Sequence, residues 1–184
     1  MKTFDNDGFL SETGFELETA LRAKHSKELA AAEQINRGCH ALLFGSTLHR
    51  DDGQKVLAAT LFMRVLEHFQ GVMTLLPLGM VAPGKATLRA MLEAVFATCS
   101  IATDESFVPR FISTDLLVRR KMMNLARTNS YVALESQREA LTPELIDELS
   151  AEISRRNVQK ISVEELARSA GMHDWYVSLY THLS

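Results

Sequence analysis

Apolar residues return every three or four positions along almost the whole chain, a period that lets an α-helix bury one side of itself and suits no strand. β-Branched residues are thinly scattered, and 184 residues hold only 9 glycines and 4 prolines, too few to punctuate a sheet protein. The fold class expected is therefore all-α. The length favours one domain and the 46% hydrophobic content supplies one sizeable core. Together they predict a single-domain bundle of about six or seven helices over residues 1–184, with residues 1–13 as a poorly ordered N-terminal arm.

The stop and start signals divide the chain. A first helical region is expected over residues 16–44, where Leu17, Leu21, Leu29, Ile35, Leu42 and Leu43 supply the apolar positions, with a break near Lys24-His25-Ser26. A turn-rich connection from Gly45 to Gly53 follows, then a helix over 54–76 that Pro77 and Gly79 stop. Pro83-Gly84 opens a third helix ending near Ala102, and Asp104 to Pro109 launches a fourth through about Arg127. Thr142-Pro143-Glu144 pairs a cap with a proline at the first helical position. Ser162-Val163-Glu164-Glu165 is a capping box for a short helix to Ala170, and an aromatic helix runs from there to the chain end.

Charge and composition remove several function classes. A net charge of −3 gives no broad attraction to phosphate, so neither nucleic acid nor an anionic membrane is an expected partner. The start of the chain has no apolar signal core, and no uninterrupted apolar run approaches the ~18 residues of a membrane span. A cytoplasmic protein is the expectation. Cys39 and Cys99 show no metal-ligand spacing and read as small buried thiols. None of the six histidines falls in a metal pattern. The segment Ala82 to Thr87 carries Gly-Lys before a helix but lacks the first glycine and the hydroxyl residue of a phosphate loop. No GxSxG elbow is present either, so neither a cofactor nor a metal is expected.

Two apolar helices each carry an acid and a base at helical spacing: Arg64 with Glu67, and Arg89 with Glu93. Leu88, Met91, Leu92, Val95 and Phe96 leave the second pair little of the helix circumference for water. Three readings stand for these residues: ordinary intrahelical ion pairs, a buried clasp between helices, or the lining of a pocket. If the two helices pack antiparallel, the four charges can meet as one network, whose members would then have to be mutually paired.

Arg119-Arg120-Lys121, ahead of Met122 and Met123, reads as the solvated face of an amphipathic helix. Residues 163–180 have the register of a helix-turn-helix, yet the would-be recognition helix from Asp174 to Leu183 contains no lysine or arginine. DNA binding through 162–184 is therefore a second alternative. Trp175, Tyr176 and Tyr180 either close the bundle or form a partner surface, and closing is the commoner use of terminal aromatics.

Leu88-Arg89-Ala90-Met91-Leu92-Glu93-Ala94 is similar to the Leu-Arg-Ser-Leu-Leu-Glu-Ala core of a bacterial family of helical proteins known only as a domain of unknown function. Residues 176–184 resemble that family's closing Tyr-x-x-x-Tyr-Arg-x-Leu-Ser, so the likeness covers the chain from about Gln34 onward. In the family pattern an arginine and a following histidine are spaced much as in HEPN-type ribonucleases. Here Thr181 holds the arginine position, and the chain reaches Ser184 ahead of any such histidine. The resemblance thus implies the fold and weakens the enzyme reading. The function expected is a non-catalytic interaction or regulatory module that associates with itself or another protein. A HEPN-like ribonuclease, or another small-pocket enzyme centred on Arg89 and Glu93, is the first alternative.

Overall fold

In the computed structural model, which describes residues 4–183, every regular element is helical. Ten α-helices are present among the described residues: α1 (Phe4–Asp7), α2 (Glu12–Lys24), α3 (Ser26–Gly45), α4 (Gly53–Leu75), α5 (Val81–Thr103), α6 (Phe107–Thr128), α7 (Glu135–Ala140), α8 (Pro143–Arg155), α9 (Val163–Ser169) and α10 (His173–Ser178). Short 3₁₀ turns stand at Gly8–Leu10, Val132–Leu134 and Tyr180–Leu183. The count exceeds six or seven because the break expected near Lys24-His25-Ser26 makes two full helices, α2 and α3, of the first long region, and because α1 and α7 are too short to show a periodic apolar stripe. Of the segment expected as an N-terminal arm, residues 1–3 lie outside the described residues, as does Ser184 at the other end. Residues 4–10 form helical turns, and Ser11 is buried, accepting from the Gly14 amide at 3.2 Å to cap α2.

Contacts gather the chain into two compact units, residues 1–103 with 163–184, and residues 104–162. In the first unit α4 and α5 form an antiparallel hairpin. Gln54 at the start of α4 donates to the carbonyl of Ile101 near the end of α5 at 2.7 Å. At the other end, a methyl at Gly84 would lie 2.7 Å from Leu76 Cδ2, so the missing side chain lets the turn and the helix start close up. Gly79 makes that turn with φ +75°, a conformation glycine adopts without steric cost. Leu61 and Leu66 of α4, and Leu92, Phe96, Ala97 and Ile101 of α5, are buried. α3 lies along α4, where the Gln70 amide donates to Asn36 at 3.1 Å and meets His40 Nε2 at 2.7 Å, yet no residue of α3 is buried.

Among the described residues α5 alone is long and apolar enough to cross a membrane by length and composition. In the structure it is flanked by α4 on one side and by α9 and the Tyr180–Leu183 turn on another. Cys39 and Cys99, expected as buried thiols, are both half-exposed, and partial burial pushes the Cys99 thiol above its usual range.

The second unit pairs α6 with α8 and adds α7. Thr142 caps α8, accepting from Leu145 N at 3.4 Å, and Pro143 takes the first helical position. Ile146 and Ile153 of α8 and Phe107 and Ala126 of α6 are buried. Arg138 donates to the carbonyls of Asn129 at 2.5 Å and Tyr131 at 3.0 Å, holding the chain reversal after α6.

Candidate functional site

At about 100° per residue, Arg89, Glu93, Phe96 and Ser100 fall on one stripe of α5. The C-terminal segment docks along this stripe. Ser100, fully buried, donates from Oγ to the carbonyl of Leu166 at 2.8 Å, and Leu166 and Ala167 of α9 are buried over it. One turn nearer the helix start, Phe96 meets Tyr180 edge to face with ring centroids 6.3 Å apart. One further turn on, the Tyr180 hydroxyl donates to Glu93 Oε1 at 2.6 Å. Arg89 completes the group: its Nε lies 3.5 Å from Glu93 Oε1, and its Cζ stands 4.4 Å above the Tyr180 ring.

The two charges occupy a core stripe because a tyrosine is delivered to them. Tyr180 is 5% exposed, whereas the Arg89 and Glu93 side chains keep 36% and 42% of their surface. The ring is buried and its polar edge satisfied, while the ions remain partly in water, an arrangement that avoids the desolvation penalty of a fully buried pair. Burial, then the bond to Glu93, push the Tyr180 phenol above its usual range, and Arg89 opposes them weakly. Glu93 Oε1 is thus engaged by a phenol and a guanidinium of its own chain.

A second polar cluster continues outward from Tyr180. Tyr176 stacks on Tyr180 at 5.2 Å, and His173 stacks on Tyr176 at 6.0 Å. His173 Nε2 lies 3.2 Å from Glu164 Oε1, which also receives Arg168 at 2.7 Å. Arg168 first, then His173, hold the Glu164 carboxyl below its usual range. Residues 164 and 168 are readable as a helical pair, but no signal along the sequence links them across Gly171 to His173 or to the tyrosines. Among the described residues no three metal-ligating side chains gather in one place.

Arg64 and Glu67 do not join Arg89 and Glu93. Both are exposed on α4, on the side of the helix away from Leu61 and Leu66. The four charges, which could have met as one network, do not do so; Arg89 and Glu93 gather instead with Tyr180. The aromatic trio separates as well: Tyr180 is buried, Tyr176 is half-buried, and Trp175 is 53% exposed beside the equally exposed Val177. The would-be recognition helix of a helix-turn-helix is six residues long, and the turn after it faces α5. Clefts of about 390, 530, 550 and 620 Å³ are lined by residues other than the clasp.

The chain matches the model of a family of unknown function, DUF5677, over residues 55–184, a span that contains α5, the clasp and all of the second unit. No curated protein and no solved structure matches.

Proposed function

The chain belongs to the DUF5677 family, and on that premise we propose that it works as a non-catalytic interaction or regulatory module rather than as an enzyme. The observation that carries this reading is the bond from Tyr180 to Glu93 beneath Arg89. A carboxylate acting as general base needs its lone pairs aimed at a substrate proton within hydrogen-bond reach. Glu93 spends Oε1 on holding the C-terminal segment against α5.

What the clasp leaves outward is apolar surface on other elements. α3 buries no residue and presents Ile35, Leu42 at 64% and Phe44 at 76% exposure, and α10 presents Trp175. Exposed apolar area of this kind marks protein association sites. The partner proposed is a second copy or another helical protein, met in the cytoplasm.

Two measurements test the reading. Sedimentation velocity across a concentration series is expected to show association that Leu42→Glu abolishes while circular dichroism stays unchanged. Incubation with single-stranded RNA is expected to give no cleavage. RNA cleavage by the wild-type chain that Glu93→Gln removes would overturn the proposal in favour of the ribonuclease alternative.

A further inference from the structure

α3 is a 20-residue helix, and none of its residues is buried. Leu29, Ala32, Asn36, His40 and Leu43 are half-buried, and Asn36 and His40 meet Gln70 of α4 on that side. On a different side Ala31, Ile35, Gly38, Leu42 and Gly45 are all exposed, at intervals of four, three, four and three residues. That alternation is the spacing of a seam between two helices. Ile35 and Leu42 keep 58% and 64% of their surface, and a methyl built at Gly38 or Gly45 would meet nothing within 4 Å. Large and small residues therefore alternate along an open stripe. The charges in the middle of the helix, Glu33 and Arg37, lie on the face opposite to it, whereas Lys27 and Glu28 stand at its start.

A second copy laid antiparallel matches this pattern in one register. Setting Ile35 opposite the partner's Gly38 also sets Ala31 opposite the partner's Leu42, and the two-fold axis repeats both layers in reverse. Every such layer then holds one large and one small side chain, so the two backbones can close to about 8 Å, the near end of the range for packed helices. A parallel pair sets each residue against its own copy. Leu42 then crowds Leu42, Gly38 leaves a void at Gly38, and Glu28 faces Glu28. The helix dipoles favour the reversed arrangement too. It carries Lys27 to the partner's last turn, where a cation is stabilised and where α3 has no basic residue of its own.

We propose that α3 is the self-association surface of this chain, two copies pairing antiparallel with Ile35 of one protomer seated on the partner's Gly38. The inference rests on the reading of the chain as an interaction module and identifies the partner as a second copy.

Sedimentation equilibrium of the full chain tests it on the wild type, Gly38→Leu, Ile35→Ala and the double variant, with circular dichroism to check each fold. The wild type is expected to form a reversible dimer. Gly38→Leu projects into open space within one copy, so the fold should be unchanged while the dimer dissociation constant rises about tenfold or more. Ile35→Ala should also raise it about tenfold. The double variant puts a large residue back opposite a small one and should return the constant to within about threefold of the wild type. Gly38→Ala keeps the layer small, as Ala31 does, and should keep the dimer. Cross-linking reads the direction. With Cys39 and Cys99 changed to serine, chains carrying Gln34→Cys and chains carrying Ala41→Cys should be joined by a short thiol linker when mixed. Neither should be joined to itself, because like positions lie roughly 10 Å apart along the axis. A dimer that Gly38→Leu leaves intact, no recovery in the double variant, or linking of like with like overturns the inference and leaves the module reading standing. A chain monomeric at every concentration overturns it as well and leaves the module a different protein partner. RNA cleavage lost in Glu93→Gln overturns the module reading itself.

Discussion

Replacing Tyr180 with phenylalanine removes one hydroxyl and leaves the rest of the clasp in place. The ring still meets Phe96 and Tyr176, and Arg89 still lies over it. What is lost is a 2.6 Å hydrogen bond to a carboxylate. Hydrogen bonds to charged groups contribute about 1.5–3 kcal/mol net. Glu93 is 42% exposed, so water replaces the lost donor and reduces the cost to about 1–1.5 kcal/mol. Glu93→Gln weakens the same bond from the other side, so the double variant should cost less than the two singles combined, with a coupling of ~1 kcal/mol. Urea unfolding followed by fluorescence reads this directly, because Trp175 is the chain's only tryptophan and lies five residues before Tyr180. A Tyr180→Phe variant as stable as the wild type, with coupling below ~0.3 kcal/mol, would refute the reasoning.

Three further outcomes follow from the same geometry. The Tyr180 phenol is raised in the folded state above its ordinary value of 10.0, so its contribution to stability is complete below pH 10 and is lost as pH rises through the folded value. Alkaline unfolding curves should therefore steepen above pH 10, and Tyr180→Phe should remove that part of the slope. Phe96 is fully buried where α5 meets Tyr180, so Phe96→Ala should cost about 3–5 kcal/mol in the same urea assay. Gly38 lies inside exposed α3 with open space around a built Cβ, so Gly38→Ala should raise stability by ~1 kcal/mol, read as a higher midpoint of thermal unfolding.

Helices with long apolar stripes are legible in this sequence to within a few residues. The segment expected over 54–76 is observed as Gly53–Leu75, and the one opened by Thr142-Pro143 is observed as Pro143–Arg155. Punctuation and period act locally, so they can be read locally. The short helices α1 and α7 escape because four or six residues complete too few turns to display a stripe. The candidate site divides along the same line. Arg89 and Glu93 are a helical pair visible from spacing alone, whereas Tyr180 reaches them from 87 residues away. Arg64 and Glu67 sit in an equally apolar run, yet they turn outward, because composition reports how apolar a helix is while its phase decides which side is covered. Tyr180 and Trp175 show the same effect over five residues, one buried and the other open to solvent.

Amide hydrogen exchange on the wild type and on Arg89→Ala examines the clasp most directly. The substitution removes the cation above Tyr180 and one of the two partners described for Glu93 while leaving the buried α4 and α5 side chains in place. Faster exchange confined to residues 163–183, with the cores of α4 and α5 still protected, is the predicted pattern. Unchanged exchange across 163–183, or an increase spread evenly over the whole first unit, would contradict a clasp that holds the C-terminal segment in place.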